Sequence, residues 1–183
     1  MKKILFVMMA FVLCLVSCNK NNKNNEQQND SIPEFPGYYC YETVMNQDME
    51  EFMNDSTMFF ESQIRFDKNV CEENAKVVWV MNVFQMNDTC IMVTHDADGV
   101  KTVNKVNDHW LEDMVINYDS VLLNMNAALE KLGQLETRVE SSFCTLRRPL
   151  TKEFYPNAFY IFGDQHFGRF YGVNSKTSEI VEM

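Results

Sequence analysis

Two stretches of helical spacing, each followed by sequence of strand spacing, constrain this chain more than any other feature. Val121, Leu122, Met125, Ala128, Leu129 and Leu132 fall at i, i+1, i+4, i+7, i+8 and i+11, one apolar stripe of a helix. Asp119 or Ser120 can cap its start and Gly133 its end, so a helix is predicted over 119–133. Met45, Met49, Phe52 and Met53 repeat the stripe, with Asp48, Glu50 and Glu51 opposite, and predict an earlier helix ending near Asn54. Between and after them the period changes to two. Phe60, Ser62, Ile64 and Phe66 alternate with Glu61, Gln63 and Arg65. Further strands are predicted over 76–85, 90–94, 100–106, 138–147, 158–162, 168–173 and 179–183, with Asp98-Gly99 as a hairpin turn. Aromatic richness (Phe 14, Tyr 7) suits a sheet with one covered face.

The order is helix, four strands, helix, four strands, and Met125 follows Met49 by 76 residues. CIMVTHDADGVKTV is loosely similar to FYGVNSKTSEIVEM, which suggests an internal duplication. The predicted class is therefore α+β: two similar units, each one helix packed on an antiparallel sheet of about four strands. The first unit would cover 32–106 and the second 119–183. Residues 107–118, NDHWLEDMVINY, would connect them, with Trp110 as an anchor.

The helix DSVLLNMNAALEKLG, the strand VESSFCTLRRPL, the segment PNAFYIF and the ending YGVNSKTSEIVEM carry a resemblance. Together they look like the PepSY-like lipoprotein domains of bacteria, over about 65 residues well and over the first half weakly. The ending departs from the family's V-D-x-x-T-G-x-V finish, with Asn174 in place of the acid and Ser178 in place of the glycine. The resemblance implies a helix against an antiparallel sheet. Tandem copies resemble the β-lactamase inhibitor protein architecture, which implies binding or inhibition rather than chemistry. No inhibitory residue carries over.

The first thirty residues read as an address. Lys2 and Lys3 precede 13 unbroken apolar residues, Ile4 to Val16. As a helix these reach about 20 Å, short of the roughly 30 Å hydrocarbon core and suited to a signal peptide. Leu15-Val16-Ser17-Cys18 resembles the bacterial lipobox, which implies removal of residues 1–17 and lipidation of Cys18. Two or three acyl chains anchor firmly where one does not. Asn19 to Ser31 holds six asparagines in 13 residues and no large apolar side chain, so residues 18–31 read as a tether about 20 Å long. The expected location is the bacterial cell envelope, lipid-anchored to a membrane.

Charge and cysteines bound the partners. Removing residues 1–17 takes two lysines and no acid from 16 basic and 26 acidic side chains, leaving net −12. Nucleic acid needs clustered Lys and Arg, so it is excluded as a partner. After lipidation Cys40, Cys71, Cys90 and Cys144 remain, enough for two disulfides in three pairings, or for buried free thiols.

Motifs for chemistry are missing. His95, His109 and His166 share no metal-ligand spacing, and no GxSxG, glycine-rich phosphate loop or HExxH occurs. A Cys144–His166 dyad is opposed by the apolar strand around Cys144. The better lead is aromatic side chains on an open sheet face, where they would anchor a partner. Tyr38, Tyr39, Trp79, Tyr155, Phe170 and Tyr171 are the candidates. The expectation is a non-enzymatic module binding an unknown protein or peptide, with no cofactor. An envelope hydrolase with dispersed catalytic residues, or a structural or sensory component, are the alternatives.

Overall fold

The computed structural model describes residues 39–110, 114–136, 138–164 and 168–183. Cys18, Tyr38 and His166 lie outside them, and the side chains of Tyr39 and Cys40 are likewise not described. Both helices and all eight strands occur in the expected order: α1 (Tyr39–Phe52), β1 (Thr57–Phe66), β2 (Val77–Met86), β3 (Thr89–Asp96), β4 (Lys101–Val106), α2 (Met125–Leu132), β5 (Phe143–Arg147), β6 (Phe159–Asp164), β7 (Arg169–Asn174) and β8 (Ile180–Glu182).

The expectation of two separate helix-plus-four-strand units is overturned. All eight strands form one antiparallel sheet in the order β4-β3-β2-β1-β5-β6-β7-β8. The two predicted sheets meet edge to edge, β1 pairing with β5 from Glu61↔Arg147 to Arg65↔Phe143. The reason is the strand edge. Each four-strand sheet alone would expose β1 or β5 with unpaired N–H and C=O groups, and joining them satisfies both rows. The described residues accordingly belong to one compact unit.

One core serves the whole sheet. Phe59, Ile64, Val80, Phe84 and Val93 from the first strands pack with Leu146, Tyr160, Phe162 and Val173 from the later ones. Val44 and Met45 of α1, and Met125, Ala128 and Leu132 of α2, cover them. Each of the Val, Leu, Ile, Phe and Met side chains among them contributes about 1.5–3 kcal/mol on burial.

The second helix starts six residues later than its stripe suggested. Residues 118–120 form a short 3-10 turn instead, and Leu122 and Leu123 donate their N–H groups to the Ser175 carbonyl. Asn124 caps the helix by accepting from the Ala127 N–H at 2.8 Å, so neither Asp119 nor Ser120 does. Gly133 closes it as expected. The Asp98-Gly99 turn is also present. Gly99 takes φ +77°, and the Asp96 carboxylate accepts from the N–H groups of Asp98 and Val100.

The sheet face away from the helices is only partly covered. An extra residue in β1 shifts its register on β2 between Phe59 and Glu61. This bulge turns Phe60 to the far face, where it packs with Val83, Cys90 and Met114 in a second, smaller cluster. Trp110 and Val115 also pack against that cluster. Ile116 bridges to Phe59, its N–H donating to the Phe59 carbonyl at 2.8 Å.

Candidate functional site

Beside Trp110 and Met114, a groove of about 540 Å³ opens on this face. Alternation along the strands sets its floor. Gln63 of β1, Phe143 and Thr145 of β5, and Ile161 and Gly163 of β6 stand side by side in register. His109, Trp110 and Met114 line one flank, and Leu150 and Phe170 also line the groove. Leu150 is 60% exposed and Phe170 52%, large apolar groups left facing water.

Gln85 on β2 pins the covering segment. Its Oε1 accepts from the Trp110 backbone N–H at 2.7 Å, which fixes Nε2 toward His109 Nδ1 at 2.8 Å. Because that amide nitrogen donates, His109 Nδ1 accepts, and Nε2 carries the ring proton toward Asp88, 3.4 Å away. Arg148 holds the other end, donating from Nη1 to the Val115 carbonyl at 3.1 Å.

Two charged groups stand in the groove on neighbouring strands. Glu61 and Arg147 are directly opposite in register. Glu61 is 3% exposed, and its Oε1 accepts from Gln63 Nε2 at 2.6 Å. Arg147 Nε and Trp110 Nε1 are both buried without a hydrogen-bond partner. A buried donor left unpaired costs about 1–3 kcal/mol.

A second polar cluster lies on the helix side. Asp48 of α1 is fully buried and accepts from Asn82 Nδ2 at 2.8 Å, His95 Nε2 at 2.9 Å and Lys101 Nζ at 2.9 Å. Lys101 also donates to Glu51 at 2.7 Å. Burial alone would raise the Asp48 carboxyl, but the hydrogen bonds from His95, Lys101 and Asn82 outweigh it and hold it below its ordinary value. Burial likewise pulls the Lys101 ammonium down, and its bonds to Glu51 and Asp48 more than reverse this, leaving it raised. Each Asp48 oxygen is committed to holding α1 on β2, β3 and β4, which makes this cluster a fastener.

The aromatic candidates separate by the strand alternation. Phe170 lines the groove. Tyr171, its neighbour, points the other way and is 6% exposed in the main core, so it is not a binding-face residue. Trp79 stands on the open face but outside the groove, under the Arg65 guanidinium at 5.0 Å. Tyr155 is half-buried and faced by Arg148 at 4.6 Å.

Among the cysteines with described side chains, Cys71, Cys90 and Cys144 are free, so no disulfide joins any two of them. Cys90 and Cys144 belong to clusters on opposite faces of the sheet and cannot approach each other. Burial pushes the Cys144 thiol well up, which keeps it protonated and a poor nucleophile. Among the described residues no group of three or more His, Cys, Asp or Glu is placed to hold a metal ion.

Sequence reasoning missed Glu61, Gln85 and Arg147. Glu61 and Arg147 occupy the polar phase of alternating strands, which marks the face but not its covering. That covering comes from a segment whose path has no periodic signal. Comparison with known proteins found no matching family model, no matching curated protein and no matching solved structure.

Proposed function

We propose that this chain is a cell-envelope lipoprotein, anchored through a lipidated Cys18, whose folded part is a non-enzymatic module binding protein or peptide in the groove. The carrying observation is the groove: exposed Phe170 and Leu150 beside a floor of Phe143 and Ile161, with Glu61, Gln63, His109 and Arg147 also lining it. Apolar pockets with a few placed polar groups are the usual form of a ligand site, and aromatic anchors supply most of the binding energy at interfaces. The resemblance of the second half to PepSY-like lipoproteins points the same way.

One observation favours a hydrolase instead: the groove is lined by both Glu61 and His109. The imidazole is directed to Gln85 and Asp88, and Glu61 is held by Gln63, so the two are not joined as an acid/base pair. The binding reading is therefore the stronger.

Selection of displayed random peptides against the full chain tests it. Peptides that bind should lose at least about tenfold on Phe170→Ala or Leu150→Asp, both at exposed positions whose change leaves the core intact. Recovery of no binder, or binders indifferent to both changes, would sink the reading. The anchor is tested separately. Cys18→Ser should move the protein from the membrane fraction to the soluble one, and unchanged retention would refute lipidation there.

A further inference from the structure

The two edges of the eight-stranded sheet are unlike. β8 is three residues long, which leaves little backbone for another strand to pair with. β4 is six residues long, and every one of them is exposed. It pairs with β3 without a bulge, from Cys90↔Val106 to His95↔Lys101, and no strand lies beyond it among the described residues. Open edges are commonly blunted by lysines that stand in the path of an incoming strand. Here Lys101 is drawn back to Asp48 and Glu51, at 2.9 and 2.7 Å. Val100, Val103 and Val106 are 57%, 39% and 44% exposed, three apolar side chains along one short edge. The outward backbone groups can be assigned. The Asp96 N–H donates to the Val100 carbonyl, and bonding alternates along an antiparallel pair. Even-numbered residues of β4 therefore bond to β3, and Lys101, Val103 and Lys105 turn their N–H and C=O groups outward.

We infer that β4 pairs antiparallel with β4 of a second copy of this chain, joining two sheets across a two-fold axis at Val103. The side chains set the register. The outward bonds belong to odd-numbered residues, so odd meets odd. With Val103 on the axis it meets the partner's Val103, and Val100 meets the partner's Val106. All three exposed valines are then paired, whereas a slip of two residues either way pairs none. Charge agrees with the same register. Val103 stands opposite Val93 of the main core, so the odd residues face the helix side. Lys105 forms no ion pair among the described residues. It would lie beside the partner's Lys101, where Asp48 and Glu51 share that one lysine. Glu51 is 56% exposed and free to take a second cation. The helices do not collide. α1 packs on β2, and the two copies of β2 would stand five strand spacings apart, about 24 Å. A helix with its side chains is about 10–12 Å across. The groove is lined by neither β3 nor β4, so this inference is independent of what the groove binds.

Sedimentation equilibrium of the full chain should show a monomer–dimer equilibrium. Val103→Pro removes an outward N–H without touching the bonds to β3. It should weaken the dimer at least about tenfold and leave the circular dichroism spectrum unchanged. Lys105→Glu, at an exposed position, sets like charges against Glu51 and should weaken the dimer about fivefold or more. Cysteines read the register. Val103→Cys would stand about 5.5 Å from its own copy between Cα atoms, within disulfide reach, and should give a linked dimer above the parent chain's background. Val106→Cys would stand about 20 Å from its own copy, at about 3.4 Å per residue, and should not. A chain monomeric up to about 1 mM would overturn the inference. So would a dimer indifferent to Lys105→Glu, or equal disulfide yields at 103 and 106. A dimer indifferent to a folded Val103→Pro would overturn it as well. Should Val103→Pro alter the spectrum, Lys105→Glu and the two cysteine variants decide. A chain that stays monomeric while displayed peptides lose binding on Val103→Pro would assign the edge to a foreign strand, and the second copy would be ruled out.

Discussion

Replacing Asp48 with alanine should lower the unfolding free energy by about 3–5 kcal/mol, the cost of breaking a buried charge pair by removing one partner. The carboxylate is fully buried and accepts from Asn82, His95 and Lys101. Its removal strands the Asn82 amide and the His95 imidazole in the core, and leaves Lys101 with Glu51 alone. Asp48→Asn keeps the shape and part of the hydrogen bonding, so it should cost less. The pH dependence has a definite sign. Asp48 is held below its ordinary value in the folded protein. Its contribution is therefore fully present above the unfolded value of about 3.9 and lost as pH falls through the lower, folded value. Lys101 is raised, so its contribution is present below about 10.4 and lost as pH rises through the folded value. Urea midpoints measured from pH 7 down to 2 should fall for the native chain and fall less for Asp48→Asn. Equal slopes below pH 4 would show that Asp48 is not the fastener.

This fastener explains a limit of sequence reasoning. Asp48 sat on the presumed solvent face of the first helix, with Glu50 and Glu51, because acids opposite an apolar stripe ordinarily face water. Its partners are 34, 47 and 53 residues away, and nothing local signals them. Strand identity, by contrast, was local and legible. The alternation of Phe60 to Phe66 and the run 76–85 placed β1 and β2 within a few residues of their ends. The groove was half legible. Phe170 could be named as an exposed aromatic, but its neighbour Tyr171 could not be told from it, since one residue of register decides the face. The segment ending at Tyr118 was read as a connector between bodies. Its residues Trp110, Met114 and Val115 instead pack on the Phe60 cluster, and the bulge at Phe60 adds one residue without breaking the composition of the strand.

The largest departure from the sequence reading, one sheet in place of two units, gives the second expected result. Phe162→Ala should destabilise the first four strands as much as the last four. Phe162 is fully buried on β6, and its neighbours in the sheet are Cys144 and Tyr171. Losing the ring should cost about 3–5 kcal/mol, or about 2 M in urea midpoint for a typical slope. Both tryptophans lie far along the chain from this position, Trp79 on β2 and Trp110 in the covering segment. If β1 and β5 are joined edge to edge over one core, no boundary lets β1–β4 survive the loss of β5–β8. Tryptophan fluorescence and far-ultraviolet circular dichroism should then report one coincident transition, shifted equally by the substitution. Independent units would behave differently: fluorescence would keep the native midpoint while circular dichroism split into two steps. The β1–β5 seam carries this argument, because the antiparallel bonds from Glu61 to Arg65 are all that continue the sheet from one half to the other. The same seam sets Glu61 opposite Arg147, so the pairing that makes the protein unfold as one body also builds the floor of the groove.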